Sequence, residues 1–260
     1  MTTARGHEQG PRVATRRRFA LEAELCEVLV AGVPEVLGWS RPCTMLGEIQ
    51  VGAVIPDLVM VDPVVDRWSL ISLTRFDSWI VADLLRARSR RVSTLSSRLF
   101  ARPEKTMRAV ERLERLGLLD RASGSAFSLG DCFPRDAEVV AVEAKLYRWR
   151  EAIEQAAEYL RFANRSYVAL PKETVDTTKG LLAACRSRGL GVIAVSEANI
   201  EVVRRAPLHQ PRSPGWVWLV ARALERQGRA TDSMPRRAPH ARRVGVRAPC
   251  GDETRRPTTP

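Results

Sequence analysis

The sequence predicts an α/β fold, a mixed central sheet flanked by helices, carrying an inserted subdomain and a basic C-terminal tail. Three observations lead there. Short Val-rich apolar runs alternate with segments of helical period, the pattern of a layered α/β domain. Between 75 and 128 three helical segments follow one another and break that rhythm. The positive charge of the chain, +12 in all, is gathered in that stretch and at both ends. Residues 75–128 hold eleven arginines and one lysine against six acids, 1–18 five arginines against one glutamate, and 227–260 eight arginines against three acids. The rest of the chain is net acidic.

Residues 1–18 are polar and basic and are expected to be disordered. From 19 to 31, Phe19, Leu21, Leu25, Val28 and Leu29 recur at helical spacing, and Pro34, Gly38 and Pro42 then mark a loop. EIQVG (48–52) and VIPDLVMV (54–61) read as two strands joined by a hairpin at Gly52-Ala53. Residues 76–87 predict a helix with Asp77 or Ser78 as its cap, 93–99 a second helix, and 103–116 a third with Pro103 in its first turn and Gly117 just past its end. Leu118 to Arg121 and Phe127 to Leu129 flank Ser123-Gly124-Ser125 as a hairpin. EVVAVEAKL (138–146) is the next strand, followed by a helix at 148–164, a strand at 166–170, a helix at 174–188, and strands at 190–195 and 200–204. Trp216, Trp218, Leu219 and Leu224 mark a terminal helix within 205–226. The Arg/Pro-rich tail from 227 to 260 has no apolar period and is expected to be disordered.

No run approaches the roughly 18 apolar residues of a spanning helix, so no membrane partner is expected. The five cysteines are scattered, with no CxxC and no paired histidine, which argues against a zinc framework and for a reducing, cytoplasmic setting. Thr15-Arg16-Arg17-Arg18-Phe19 looks like a twin-arginine export signal, but Glu22, Glu24 and Glu27 fall where its apolar segment belongs. Basic patches attract polyanions by releasing their counterions, which points to DNA as partner. A solvated, arginine-rich surface is the plainer reading of the same charge.

Strand alternation sets Val142, Ala144 and Leu146 on one face of the 138–146 strand and Glu143 and Lys145 on the other. Lys145 is one of only four lysines among 42 basic residues. A buried acid and lysine are expensive to desolvate, and a structural ion pair is the alternative to a functional one. Pro56-Asp57 brings a second carboxylate within an apolar strand. Two carboxylates at the ends of adjacent strands make a hard oxygen site, suited to magnesium (Mg2+) or manganese (Mn2+). Trp149, between Arg148 and Arg150, suits base stacking and helix-start packing equally. His7, His209 and His240 have no site context, and Tyr159 reads as a packing residue.

Pro56-Asp57, Glu143-Ala144-Lys145 and Gln155 in REAIEQAAEYL together resemble the PD-(D/E)xK nuclease superfamily, over 19–74 and 129–226. The resemblance implies a restriction-endonuclease-like sheet. It implies Asp57, Glu143 and the Ala144 carbonyl as metal ligands, Lys145 beside the attacking water, and Gln155 supporting from the next helix. It also implies a first-helix glutamate, assigned to Glu24 among Glu22, Glu24 and Glu27. Residues 75–128 resemble a winged helix-turn-helix, inserted between the second and third strands. In its third helix Met107, Val110 and Leu113 are expected in the core, and Lys105, Arg108, Arg112 and Arg115 lie on another arc fit for a major groove. A winged helix used only for protein contacts is the alternative. The expected function is a metal-dependent deoxyribonuclease, a possible homodimer. The competing expectation is a non-enzymatic DNA-binding or regulatory protein on a nuclease-like scaffold, and a plain interaction adaptor has less behind it.

Overall fold

The computed structural model describes residues 19–39, 43–62, 72–131 and 133–232, without the side chains of 228–232. The expected disordered segments at 1–18 and 233–260 lie outside the described residues.

Helix α1 (Glu22–Val36) is followed by strands β1 (Thr44–Gly47) and β2 (Leu58–Val61). Next come α2 (Arg75–Leu85), β3 (Arg90–Arg91), α3 (Val92–Arg98), α4 (Pro103–Arg115), β4 (Leu119–Ala122) and β5 (Ala126–Leu129). The chain then returns through β6 (Val139–Ala144), α5 (Trp149–Tyr159), β7 (Arg165–Pro171), α6 (Lys172–Thr177), α7 (Leu181–Ser187), β8 (Gly191–Val195), β9 (Ile200–Arg204) and α8 (Pro214–Asp232). Six strands form one mixed sheet in the order β1-β2-β6-β7-β8-β9, parallel through β6, β7 and β8 and antiparallel elsewhere. The block from α2 to β5 stands in the chain between β2 and β6, which are neighbours in that sheet, and has its own three-stranded sheet β3-β5-β4.

The central strands are buried on both faces, so they read as nearly continuous apolar runs. Leu25, Leu29 and Val33 of α1 pack on Leu58, Met60, Val140, Val142 and Ala144 from one side. From the other, Val59, Val139 and Ala141 meet α5, α7 and α8. This second core runs without a break into Ile80, Leu84, Leu95, Val110 and Leu113 of the α2–β5 block, so the inserted segment shares its core with the sheet. Gly191 is required by close approach: a Cβ there would lie 2.2 Å from the Tyr167 ring.

Several expectations need correction. The first edge strand is Thr44–Gly47, not 48–52, because Glu48 turns at φ +40° and ends the extended run. Gly52-Ala53 does make a tight turn, with Val51 and Val54 bonded across it, but the strands that pair are 44–47 and 58–61. Helix α1 runs through Pro34, where only the last turn loses a hydrogen bond. The 174–188 helix is two, divided at Gly180 with φ +84°. Helix α5 stops at Tyr159 and α8 continues to Asp232, past the expected end at 226. The cap of α2 is Thr74, not Asp77 or Ser78: Thr74 and Asp77 form a capping box in which each side chain accepts the other's N–H.

Candidate active site

The register of β2 on β6 pairs Leu58 with Val142 and so sets Asp57 opposite Glu143. Asp62 N–H bonds the Glu138 carbonyl, and the alternation of an antiparallel ladder then makes Pro56 and Ala144 the next-but-two bonded pair. Proline has no N–H, so no ladder bond from this side reaches the Ala144 carbonyl. The Ala144 N–H turns instead to Asp57, donating to Oδ2 at 2.8 Å. The Pro-Asp pair thus ends the ladder, fixes a carboxylate at its end, and leaves a backbone oxygen beside it.

Glu143 is 2% exposed. Its Oε1 lies 2.7 Å from Lys145 Nζ, and its Oε2 accepts from the Tyr159 hydroxyl. Glu143 and Lys145 share a face as strand alternation requires, while Val142, Ala144 and Leu146 join the α1 core. Lys145 also lies 3.7 Å from Glu22 Oε2. Burial pushes the Glu143 carboxyl up, against the hydrogen bonds of Lys145 and Tyr159. Burial likewise raises Asp57, against the Ala144 N–H and the Lys145 charge. For Lys145, burial acts to lower the pKa, but the hydrogen bond to Glu143 and the charges of Glu143, Asp57 and Glu22 outweigh it. Lys145 is therefore an ammonium, a donor and point charge rather than a base. Tyr159 is raised well above the phenol range by burial and by Glu143, so it keeps its proton and donates it.

Two expected members are elsewhere. Glu24 turns back onto its own helix start, accepting from Ala20 N–H at 2.7 Å, and Glu22 is the first-helix carboxylate at the site. Gln155 is exposed on α5, and the residue of that helix that meets Glu143 is Tyr159, one turn further on. The Glu22 and Tyr159 roles were both missed from sequence; for Tyr159 the available signal is the period Ala152, Ala156, Tyr159, which marks the buried face of α5. Cys26 faces the same group, and burial with the nearby Asp57 and Glu22 carboxylates pushes its thiol up to about 11.

Among the described residues no three His, Cys, Asp or Glu side chains gather as a metal-holding group. Magnesium is commonly held by one or two carboxylates and keeps several waters. Asp57, Glu143 and the ladder-free Ala144 carbonyl are hard oxygen donors of that kind, so the residues fit. Because burial raises Asp57 on balance, its ionised form costs stability. Asp57→Asn should raise the melting temperature at pH 7. The gain should vanish below about pH 4, where wild-type Asp57 is protonated in both states; a variant less stable at pH 7 would refute the sign.

On the predicted DNA-facing helix α4 the buried positions are Thr106, Ala109, Val110 and Leu113, and Met107 faces solvent, so Thr106 takes the core place expected for Met107. Lys105 Nζ lies 4.4 Å from the Phe76 ring centroid, and Arg112 is paired with the buried Asp77. Arg108 and Arg115 are exposed and make no ion pair among the described residues. The terminal Arg of the 148–150 triplet lies over the Trp149 ring at 4.3 Å.

No family model and no curated protein matches the chain. Among solved structures it is similar to a protein of unknown function from Silicibacter pomeroyi, with 17% identity over 47% of this chain and 82% of that one, at a TM-score of 0.26. A likeness of that size carries no argument about function.

Proposed function

We propose that this chain is a metal-dependent nuclease that hydrolyses DNA phosphodiester bonds, with a restriction-endonuclease-like sheet and an inserted winged helix that assists DNA binding. The observation that carries this reading is the bond from Ala144 to Asp57 across 87 positions of chain, which joins the Pro-Asp turn to the Glu143–Lys145 strand end. Asp57, Glu143 and the Ala144 carbonyl would hold magnesium or manganese. Such an ion would supply Lewis acidity toward the attacking water and a phosphoryl oxygen. Lys145, held as an ammonium, donates to the attacking water and opposes the charge that develops on the phosphate. Tyr159 fixes one oxygen of Glu143 and leaves its second lone pair open. Glu143 first, with Asp57 and Glu22 adding to it, keeps the Lys145 ammonium charged against burial.

Three helices, with the short β3 between the first two and the β4–β5 hairpin after the third, joined in one sheet β3-β5-β4, support the winged-helix reading of α2 to β5. The open side of α4 then offers Arg108 and Arg115, interleaved with Glu104 and Glu111. Phe100, 98% exposed in the turn before it, adds an apolar contact.

The competing reading, a DNA-binding regulator, draws on one feature: both oxygens of Glu143 already have partners within the chain. Supercoiled plasmid incubated with the protein separates the two. The nuclease nicks it with Mg2+ or Mn2+ and not with EDTA. Salt-sensitive plasmid binding without any nicking would establish the regulator instead.

A further inference from the structure

We infer that the cavity walled by Tyr147, two positions along the chain from Lys145, is a base-binding subsite, which receives one unstacked nucleobase of a single-stranded or frayed DNA. The cavity has a volume of about 430 Å³, within the range of small-ligand sites, roughly 300–1,000 Å³. Phe19, Tyr147, Trp149 and Pro171 supply apolar walls, Thr174 and Thr178 supply hydroxyls, and Glu173 adds a carboxylate that can accept from a base amino group. It lies past the C-terminal ends of the parallel neighbours β6 and β7, where open α/β sheets place their ligands. The segment that walls it is fixed: Thr174 Oγ1 donates to the Leu146 carbonyl at 3.1 Å, and Trp149 N–H donates to the Tyr147 carbonyl at 2.9 Å.

Tyr147 is 68% exposed, an aromatic ring left open beside the proposed catalytic lysine. Only Leu146 separates it from Lys145, at most about 7 Å between Cα atoms. Stacked nucleotides rise about 3.4 Å each, so a base one or two positions from the phosphate at Lys145 is within reach. Arg150 covers Trp149, which makes Trp149 a wall and Tyr147 the open stacking surface. A base inside a duplex enters only after unstacking, at a cost of a few kcal/mol, and so the subsite selects strands whose bases are already free. The inference rests on the nuclease reading for the placement of DNA at Lys145.

The test uses the full chain and a short single-stranded oligonucleotide, with an abasic copy at each position in turn and a blunt duplex of the same sequence. Binding is read by anisotropy in EDTA and cleavage in Mg2+. The intact strand should bind about tenfold or more tighter than one abasic copy, the scale of one base–aromatic stack. Tyr147→Phe should keep that preference and Tyr147→Ala should erase it, with folding intact because the side chain is exposed. Equal binding of the intact and every abasic strand overturns the subsite whatever the cleavage result. A base preference that depends on Tyr147, with no cleavage of any substrate, leaves the subsite standing and removes the nuclease.

Discussion

Lys145→Ala should abolish metal-dependent nicking, a loss of at least about 10²–10³-fold, while DNA affinity measured in EDTA changes little. The first figure is the usual cost of removing one donor aimed at developing negative charge. The second follows because binding sums many phosphate contacts and one cation is a small share of them. The variant also has a structural consequence that must be kept apart from the chemical one. Glu143 is buried, and Lys145 and Tyr159 are its two partners. Without the ammonium it takes up a proton rather than stay charged. Its folded pKa, already raised by burial, rises further. A raised carboxylate contributes stability at low pH and loses it as pH climbs through the folded value, so the deficit of Lys145→Ala should be largest near neutrality and shrink in acid. Adding Glu143→Gln should recover melting temperature without recovering activity. If nicking and binding fall together in a folded Lys145→Ala protein, the role assigned to this lysine is wrong.

The parts of this arrangement legible in sequence are those that depend on strand geometry alone. Period-two alternation places Glu143 and Lys145 on one face regardless of what packs there, and the bounds of β9 follow from its apolar run. Asp57 is singled out by the resemblance alone, which sets it within a 54–61 strand, whereas β2 begins at Leu58 and leaves Asp57 just before it. What sequence does not disclose is which way a side chain turns when two destinations compete. Glu22 and Glu24 are both in the first turn of α1, and Glu24 sits at the third helical position, from which a carboxylate reaches back to the cap N–H. The capping residue is Leu21, so the usual Ser/Thr signal is missing and the assignment went to the wrong glutamate. Thr74-Arg75-Phe76-Asp77 did carry that signal, and it names the cap of α2 where propensity alone pointed inside the helix. On α5, Ala152, Ala156 and Tyr159 at i, i+4 and i+7 mark the buried face, so the period sets Tyr159 against Glu143 and leaves Gln155 in solvent. The motif resemblance points to Gln155 against that period. A cavity of about 510 Å³ between Trp79 and the start of α8 shares no residue with the Asp57–Glu143–Lys145 group and was not foreseen either.

Arg112→Ala should destabilise the fold rather than simply weaken DNA binding. Arg112 reaches from α4 to Asp77, a fully buried carboxylate in the first turn of α2, and to Thr74 Oγ1 at 3.3 Å. Removing one member of a buried pair commonly costs about 3–5 kcal/mol, because the other charge is stranded. Here about 2 kcal/mol is expected, for three reasons. The Arg112 side chain is 40% exposed, Thr74 still donates to Asp77 through its N–H and hydroxyl, and the Arg112 Nε is itself buried without a partner. In a domain of this size that corresponds to a fall in melting temperature of about 4–8 °C. Asp77→Asn in the same chain should return part of it, since the stranded charge is gone. Arg108→Ala with Arg115→Ala should behave in the opposite way, leaving the melt unchanged and lowering the salt dependence of DNA binding by about two units of log–log slope. Four cations on one helical arc therefore divide by partner: one pinned to α2, one resting on Phe76, and two facing outward. A folded Arg112→Ala protein with an unchanged melt and a reduced salt slope would reverse that division and return Arg112 to the DNA-facing set.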